Sequence, residues 1–291
     1  MDFRNAAELL KLCHENQMQI SDVMKQRECS LGETTMDAID HRMKHVLDVM
    51  RQSAAVALIN PRQSMGGLLG GEAKKLNTHR EEGKSICGNI LGKGIAYAMG
   101  VLEVNASMGL IVAAPTAGSA GIVPGLLLAL QDEYQISDDR LVDALFNAGA
   151  IGYLAMRNAT VAGAVGGCQA EVGVASAMAA SAAVELMGGT PEQCMSAAGT
   201  VLMNMLGLVC DPVGGLVEYP CQNRNASGVA NALIAAEIAL SGIRQLIPLD
   251  EMISAMYTVG KRMPAELRET ALGGCAATPA GCGLCSGCQS V

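Results

Sequence analysis

Hydrophobic residues recur every three or four positions through much of this sequence, which is the spacing of one face of an α-helix. The clearest example runs from Glu33 to Ile59, where the apolar stripe consists of Met36, Ile39, Met43, Val46 and Met50. Charged and polar residues occupy most positions between them, as on the solvent-facing side of an amphipathic helix. The pattern predicts one long surface helix within residues 33–59.

Further helices are predicted at about residues 121–131, 138–157, 170–188, 191–206, 226–242 and 249–260. Ser137 precedes one of them as a candidate N-cap, and the start of another, Thr190-Pro191-Glu192-Gln193, combines an N-cap, an early proline and a capping-box glutamine. No segment shows convincing strand alternation. We therefore expect a single all-α domain over residues 1–274, with a more polar portion at 1–84, followed by a cysteine-rich tail at 275–291.

The composition agrees with a helical core. Half of the residues are hydrophobic, but the aromatic ones are only five Tyr and two Phe, so the apolar content is mainly Ala, Leu, Val, Met and Ile. The 34 glycines suit loops between closely packed helices. The formal net charge of −8 argues against a nucleic-acid partner, because phosphate binding needs a basic patch.

One stretch, Met108 to Leu130, has no charged residue and is long enough to cross a bilayer. Pro115 and Pro124 interrupt it, and no basic residue flanks it closely, so a buried turn followed by a helix is the better prediction. The N-terminus is charged and lacks the apolar core of a signal peptide. We expect a cytoplasmic protein without membrane contact.

Eleven cysteines in a reducing compartment are not expected to form structural disulfides. Cys13, Cys29, Cys87 and Cys194 fit ordinary core positions. His41 and His45 have a spacing of four that suits zinc, but their basic neighbours and the missing glutamate between them favour a solvated helix face.

Three segments are unlike ordinary connectors, and we interpret them as loops. The first is 103–109 with 114–121, the second is 163–173, and the third is 207–215 with 218–225. In the first, Pro115 to Gly121 places small and hydroxyl residues before a predicted helix, which is the composition of an anion site that suits a carboxylate. A tight N-cap between packed helices explains the same residues equally well.

Cys168, Cys210 and Cys221 each lie beside glycine or proline, where the backbone is able to bend around a bulky inorganic group. Thiolates are the ligands that iron–sulfur clusters require, and three of them would leave one iron open as a Lewis acid. The spacing alone favours a plainer reading, in which all three are buried structural cysteines.

Five stretches of the chain resemble the α chain of the two-subunit bacterial iron–sulfur L-serine dehydratases. They are QSMGGLLGGEAKKL (63–76), NASMGLIVAAPTAGSAGIVPG (105–125), GAVGGCQAEVG (163–173), GLVCDPVGGLVEYPCQNRN (207–225) and LRETALGG (267–274). The resemblance spans nearly the whole chain. It implies an all-α catalytic domain of buried helices joined by glycine-rich loops around a [4Fe–4S] cluster held by Cys168, Cys210 and Cys221.

The resemblance also implies conversion of L-serine to pyruvate and ammonia without pyridoxal phosphate. This agrees with the absence of lysine from the three segments. The implied catalytic residue is Ser119, and the implied substrate contacts are Ser64, Asn105, Thr116, Gly118, Ser119 and Gly166. None of the four histidines lies near these segments, so the base that removes the Cα proton is expected on a second, β subunit.

The tail departs from the family pattern, since residues 275–291 contain four cysteines: Cys275, Cys282, Cys285 and Cys288. The spacing suits zinc or a second cluster, although we favour a flexible or autoinhibitory tail. Two other functions stay open. One is a cluster-dependent lyase acting on cysteine or threonine, and the other is an iron–sulfur redox sensor without a substrate.

Overall fold

The structure is a computed structural model, which describes residues 1–284, and helices make up most of it. In chain order the α-helices are α1 Ala6–Asn16, α2 Ile20–Leu31, α3 Met36–Ile59, α4 Glu72–Glu81, α5 Gly88–Ala106, α6 Ile122–Tyr134, α7 Asp138–Asn158, α8 Gly163–Gly166, α9 Val174–Leu186, α10 Pro191–Asn204, α11 Cys221–Leu240, α12 Leu249–Arg262 and α13 Pro279–Gly283. Residues 1–284 contain no β-strand, only an isolated bridge between Cys210 and Arg268. The all-α prediction is confirmed.

Helix α9 lies at the centre of the packing, against α6, α7, α10 and α11. All of its residues from Val174 to Leu186 are buried. Its sequence explains the position, because alanine and serine on every face allow neighbouring helices to approach closely, whereas an amphipathic helix accepts neighbours on one side only. The buried hydrophobic residues form one continuous cluster that extends from Phe3 to Met256.

Helices α5 and α6 touch through glycine. A Cβ added at Gly121 would lie 2.3 Å from the carbonyl oxygen of Ala98, and one added at Gly125 would lie 2.8 Å from that of Gly94. These contacts hold the start of α6, and the segment before it, against α5. The first of the three unusual segments is thereby fixed to the helical core.

Most of the predicted helix ends agree with the structure to within a few residues. The Thr190 hydroxyl accepts from the Gln193 N–H, and the Gln193 side chain accepts from the Thr190 N–H, so the predicted capping box is confirmed. Ser137 takes the N-cap position of α7, but its side chain makes no capping hydrogen bond. Helix α3 begins at Met36, which is exposed. Of the predicted apolar stripe, Ile39 and Met50 are buried, and Met43 and Val46 are partly buried.

Three interpretations of local structure are wrong. Residues 103–106 are the last turn of α5, which the sequence pattern did not predict. Most of segment 163–173 is helical, because α8 is followed by a π-helical turn at Gln169–Gly173. Helix α11 begins at Cys221, five residues before its predicted start at 226, since the first turn is polar and carries no apolar periodicity.

The uncharged stretch 108–130 forms the predicted turn and helix, with one 3₁₀ turn at Ala117–Ser119 followed by α6. Its first part is not buried as predicted, since Met108 and Leu110 are exposed. Among the residues described, no helix combines the length and apolar character needed to span a bilayer.

Candidate active site

Cys168 is placed by the junction between α8 and the π-helical turn. Gly167 has a φ of +74°, and a Cβ there would lie 2.8 Å from the Leu208 carbonyl oxygen, so this position requires glycine. The Gln169 N–H donates to that same carbonyl at 3.0 Å. The tight turn therefore brings Cys168 next to the segment that carries Cys210.

Cys210 is held by backbone pairing with a distant part of the chain. Its N–H donates to the Leu267 carbonyl at 2.9 Å, and its carbonyl accepts from the Glu269 N–H at 2.6 Å. Residues 267–269 belong to the LRETALGG stretch. The structure thus explains why a late motif without obvious chemistry belongs to the site.

Cys221 is the first residue of α11, directly after Pro220. The same helical turn carries Asn225, whose side-chain amide donates to the carbonyls of Gly118 at 2.8 Å and Cys221 at 2.9 Å. The Asn225 oxygen accepts from the Gly121 N–H at 3.0 Å. Helix α11 is therefore tied to the segment 114–121 beside the third cysteine.

The structure brings sulfur and carboxylate ligands together. The Sγ atoms of Cys168 and Cys210 and a carboxylate oxygen of Glu171 all lie within 4.8 Å of one another. Cys168, Cys210 and Cys221 are buried and free of disulfides. A Cβ at Gly163 would lie 3.0 Å from Cys210 Sγ, so glycine leaves room beside the sulfur. Cys221 Sγ does not belong to this 4.8 Å group, although Cys221 interacts electrostatically with Cys168. Free thiols are the ligand type that an iron–sulfur group requires.

The electrostatics of the three thiols differ. A hydrogen bond from Cys210 and the charge of Arg224 lower the pKa of Cys168 against the effect of burial. The same bond and burial raise the pKa of Cys210. Burial, then the interaction with Cys168, raises the pKa of Cys221 to about 12. Cys168 is therefore the thiol of this group that the protein best stabilises as a thiolate.

Glu171 joins the sulfur atoms to the segment 114–121. The Thr116 hydroxyl donates to Glu171 Oε1 at 2.9 Å, and the Cys210 thiol lies 3.7 Å from Glu171 Oε2. Burial is the main reason why the pKa of Glu171 is raised. Gly118 also lies beside this carboxylate, since a Cβ there would be 3.5 Å from Oε1.

Arg224 supplies a positive charge at the same place. Its Nη1 donates to the Val209 carbonyl at 2.9 Å and lies 3.6 Å from Cys168 Sγ, and its Nη2 lies 2.6 Å from Asp211 Oδ1. Asp211 is buried, and its other carboxylate oxygen accepts from the Cys275 N–H at 2.6 Å. The start of the tail is thereby attached to the site.

The predicted substrate contacts in the first segment are close to one another, but they face different surroundings. Thr116 and Gly118 are partly exposed beside Glu171. Ser119 is fully buried, with its hydroxyl 3.1 Å from that of Thr116. The Asn105 amide donates to the Ala117 carbonyl at 3.4 Å. A role for these four residues in binding or catalysis stays a prediction.

Ser64 and Gly166 are engaged by the protein itself. The buried Ser64 hydroxyl donates to Glu218 at 2.6 Å and accepts from the Leu69 N–H at 3.0 Å. Gly166 packs against Gly260 of α12, and its carbonyl accepts from Gln169 at 2.8 Å. These contacts shape the site, and direct contact of either residue with a substrate stays a prediction.

Three polar residues of the site have no role among the sequence predictions: Glu171, Asp211 and Arg224. A signal exists for Glu171, which is the only charged residue between Asn158 and Val184. Burying an isolated charge is costly unless it is partnered, so a lone carboxylate in an apolar stretch indicates a specific environment. The pairing of Asp211 with Arg224 depends on the fold, and no local pattern reveals it.

The structure also shows the positions of the four histidines and of the first two tail cysteines. All four histidines are exposed, and His14 pairs with Glu192 of α10. The Cys275 backbone contacts Asp211, and the Cys282 thiol lies 3.5 Å from the Ala276 carbonyl. The remaining tail cysteines, Cys285 and Cys288, lie outside the residues that the structure describes.

Comparison with known proteins identifies the family. Residues 15–276 match the family model described as serine dehydratase alpha chain. A probable L-serine dehydratase alpha chain from Bacillus subtilis (strain 168) is 50% identical over 279 residues, which cover 96% of this chain and 93% of the relative. The L-serine dehydratase alpha chain of Peptoniphilus asaccharolyticus is 46% identical over 276 residues, covering 95% and 94%.

A longer relative matches over the same part of this chain. L-serine dehydratase 1 of Escherichia coli (strain K12) is 37% identical over 286 residues, which cover 94% of this chain and 61% of that protein. The resemblance seen in the sequence motifs is confirmed by the family match and by these identities. This chain belongs to the serine dehydratase alpha chain family.

Proposed function

We propose that this chain is the cluster-binding subunit of an L-serine ammonia-lyase that converts L-serine to pyruvate and ammonia. The observation that carries the proposal is the meeting of Cys168 and Glu171, from segment 163–173, with Cys210, from segment 207–215, beside the Thr116 hydroxyl. The cysteine thiols are soft ligands, which suit a metal that assists loss of the substrate's hydroxyl group. The adjacent segment is rich in hydroxyl groups, which suits binding of the substrate's carboxylate by the protein. The names of the relatives support the same substrate.

The cofactor of this proposal is a [4Fe–4S] cluster held by Cys168, Cys210 and Cys221, without pyridoxal phosphate. When bound, such a cluster with one iron free of cysteine supplies a Lewis acid for the hydroxyl of serine. The protein contributes the space beside Gly163 and the buried thiols. Since all nine cysteines in the described residues are free, a reducing compartment such as the cytoplasm suits the protein.

Substrate binding is assigned to the segment that precedes α6. Thr116 is partly exposed, and its hydroxyl is oriented by Glu171, so it is placed to meet a ligand lying beside the cysteines. We assign the substrate carboxylate to Thr116 and the nearby backbone, with Gly118 allowing close approach. Ser119, whose hydroxyl lies 3.1 Å from that of Thr116, is assigned to catalysis and substrate binding, and Ser64, Asn105 and Gly166 are assigned to substrate binding.

Removal of the Cα proton is assigned to a second, β subunit. The histidines of this chain are all exposed, and the alpha-chain names of two relatives accord with a partner chain. We propose that residues 1–274 form the catalytic domain and that residues 275–291 form a cysteine-rich tail, whose first residue, Cys275, contacts Asp211. Without its partner, the chain is expected to be inactive or nearly so.

A two-part experiment tests this function. The chain is purified anaerobically with and without a β subunit, and pyruvate formation from L-serine is measured for both. Full activity of the chain alone would contradict the role of the second subunit. The visible spectrum of the complex is then recorded with L-serine, with L-cysteine, with L-threonine and with D-serine as the stereochemical control.

The spectra separate the competing functions. A spectral change with L-serine, accompanied by pyruvate, supports the proposed lyase. Faster turnover of L-cysteine or L-threonine would instead identify a lyase with a different substrate. A cluster whose spectrum none of these amino acids alters would indicate a redox sensor. Iron content adds a further check, since about four irons per chain correspond to one [4Fe–4S] cluster and clearly more would indicate a second in the tail.

A further inference from the structure

Arg224 is a buried cation beside a cysteine. Its side chain is only 15% exposed, and three different groups hold its guanidinium: the Val209 carbonyl at 2.9 Å, the Asp211 carboxylate at 2.6 Å and the Cys168 sulfur at 3.6 Å. A guanidinium stays charged at any pH at which proteins fold and has N–H groups pointing in fixed directions. The three contacts therefore define one orientation of the group.

The partners of Arg224 are themselves fixed. Val209 and Asp211 flank Cys210 in the chain, and Asp211 is 1% exposed. The Asp211 carboxylate also receives the Cys275 N–H. The guanidinium on α11 is thus anchored to the segment that carries one cysteine while it donates to the sulfur of another. Arg224 therefore fixes the position of the Cys168 sulfur relative to the Cys210 segment and also places a positive charge beside it.

A second buried arginine shows that this geometry is not a general consequence of burying the residue type. The Arg27 side chain is 10% exposed, pairs with Asp2 at 2.9 Å and stacks on the Tyr153 ring at 4.0 Å. Its partners are the carboxylates of Asp2 and Glu28 and the rings of Phe3 and Tyr153, which is a common structural arrangement. Arg224 differs because one of its N–H groups points at sulfur.

We propose that Arg224 is a positioning residue that holds the Cys168 sulfur in place as a cluster ligand and raises the reduction potential of the bound cluster. This rests on the proposed function, because it requires a cluster on Cys168. Hydrogen bonds to the sulfur ligands draw electron density away from the cluster and thereby favour its reduced form. Groups that orient a metal ligand also slow its dissociation, and their loss typically weakens metal binding by ~10- to 100-fold.

The test compares four forms of the full chain, each purified anaerobically with its β subunit. They are the unchanged protein, Arg224→Gln, Arg224→Lys and the control Arg27→Gln. Two quantities are measured: the rate at which a ferrous-iron chelator removes iron, and the midpoint of an anaerobic reductive titration followed by absorbance. Neither measurement depends on turnover. Thermal unfolding is recorded for all four forms.

Arg224→Gln is expected to release iron about 10-fold faster and to shift the midpoint to a more negative potential. Arg224→Lys keeps the charge, but a single ammonium group is unable to reach all three partners, so iron release should rise while the midpoint moves less. Arg27→Gln is expected to lower thermal stability and to leave both cluster measurements unchanged. Since removing Arg224 leaves Asp211 unpaired, the double variant Asp211→Asn/Arg224→Gln replaces Arg224→Gln if the single variant does not fold.

The outcomes distinguish this inference from the proposed function. If the unchanged protein holds no iron–sulfur cluster, the proposed function fails. If it holds a cluster and the Arg224 variants match Arg27→Gln in iron release and midpoint, the inference alone fails and Arg224 is only a structural residue. A midpoint shift in Arg224→Gln without faster iron release would overturn the positioning role.

Discussion

Two buried centres of this protein each combine a glutamate with cysteine, yet only one of them is assigned chemistry. In the first, which we call the sulfur site, Glu171 lies with Cys168 and Cys210. In the second, which we call the Glu185 cluster, Glu185 lies near Asn147 and Cys194 where α7, α9 and α10 pack together. Both centres pair a carboxylate with a buried cysteine, and Glu185 is more deeply buried than the partly exposed Glu171, so burial alone does not explain the difference between them.

The difference lies in the partners and in the backbone. In the Glu185 cluster, Glu185 accepts from the Asn147 amide at 2.6 Å, and Asn147 in turn accepts from the Ser181 hydroxyl at 2.6 Å. The partners Asn147 and Ser181 are uncharged and lie on regular helices, and burial, then the interaction with Glu185, raises the pKa of Cys194. The thiol is therefore kept protonated and unreactive.

At the sulfur site the backbone is irregular, and a cation is present. A positive-φ glycine, a π-helical turn and the first turn of α11 bring the groups together, and Arg224 donates to Cys168. Buried cysteine and glutamate do not by themselves make a reactive centre. A reactive centre is distinguished by two features: separate segments of the chain meet there, and a nearby positive charge favours the thiolate form of the cysteine.

The strongest test of this comparison exchanges cysteine for serine in each centre. Cys210→Ser is expected to lower pyruvate formation by the complex with the β subunit more than ~100-fold, beyond the range seen for groups that only orient a ligand, together with loss of bound iron. Cys194→Ser should leave activity per folded molecule unchanged and cost about 1 kcal/mol of stability. Equal losses of iron in the two variants would remove the distinction between the centres.

Glycine gives the next test, because each centre has one nearby. Gly163→Ala puts a Cβ 2.5 Å from Glu171 Oε2 and 3.0 Å from Cys210 Sγ, so we expect about 10-fold faster iron release to a chelator. Gly149→Ala, on α7, meets only the end of Met24 at 4.0 Å. It should raise the free energy of unfolding by up to about 1 kcal/mol, since alanine favours helix.

Normal iron retention in Gly163→Ala would show that the space beside Cys210 is not needed for the cluster. Destabilisation by Gly149→Ala would instead show that α7 tolerates less than its geometry indicates. Either result would contradict the contrast between the two centres, in which an added methyl group displaces atoms of the sulfur site but is accommodated on helix α7.

Substitutions of Glu171 and Glu185 form the third test, in which the expected effect on the KM for L-serine is smaller than the effects above. Glu171→Ala removes the acceptor of the Thr116 hydroxyl and is expected to raise the KM for L-serine about 10-fold, in line with the loss of a hydrogen bond to a charged group. Glu171→Gln keeps an acceptor and should raise KM less. Glu185→Gln is the matched control, with KM unchanged. If Glu171→Ala alters kcat alone, the carboxylate does not act through the substrate-binding segment.

The two centres also show how far the sequence leads. Helix α9 and the capping box at Thr190 follow from composition and local signals, and both are present in the structure. The motifs around Cys168 and Cys210 were found through their glycines, and these residues do meet. Short-range rules work wherever the determining contacts lie within a few residues of one another.

The sequence rules fail where the fold itself makes the environment. The start of α11 at Cys221 lacks periodicity, because its polar residues face other segments instead of a helix stripe. The pair Thr116–Glu171 joins residues 55 positions apart in the chain, and the pair Arg224–Asp211 joins α11 to the irregular segment before it. The sequence also does not predict burial of the Ser119 hydroxyl, since a serine in a glycine-rich loop is usually exposed.

The last prediction concerns stability in the Glu185 cluster. Burial raises the pKa of Glu185 above its ordinary value of 4.5, against the hydrogen bonds from Ser21 and Asn147. The folded state therefore retains a proton that the unfolded state has released, so the free energy of unfolding falls as pH rises from about 4.5 through the folded-state pKa. Glu185→Gln has no proton to lose, and its side-chain oxygen still accepts from Asn147.

Relative to the unchanged protein, Glu185→Gln should consequently gain stability as pH rises through that window. Urea unfolding at several pH values measures this gain, with Glu15→Gln at an exposed carboxylate as the control. A constant stability difference between Glu185→Gln and the unchanged protein would mean that Glu185 ionises in the fold at its ordinary pKa. The Glu185 cluster would then be a charged centre like the sulfur site, and the contrast between the two would rest on backbone geometry alone.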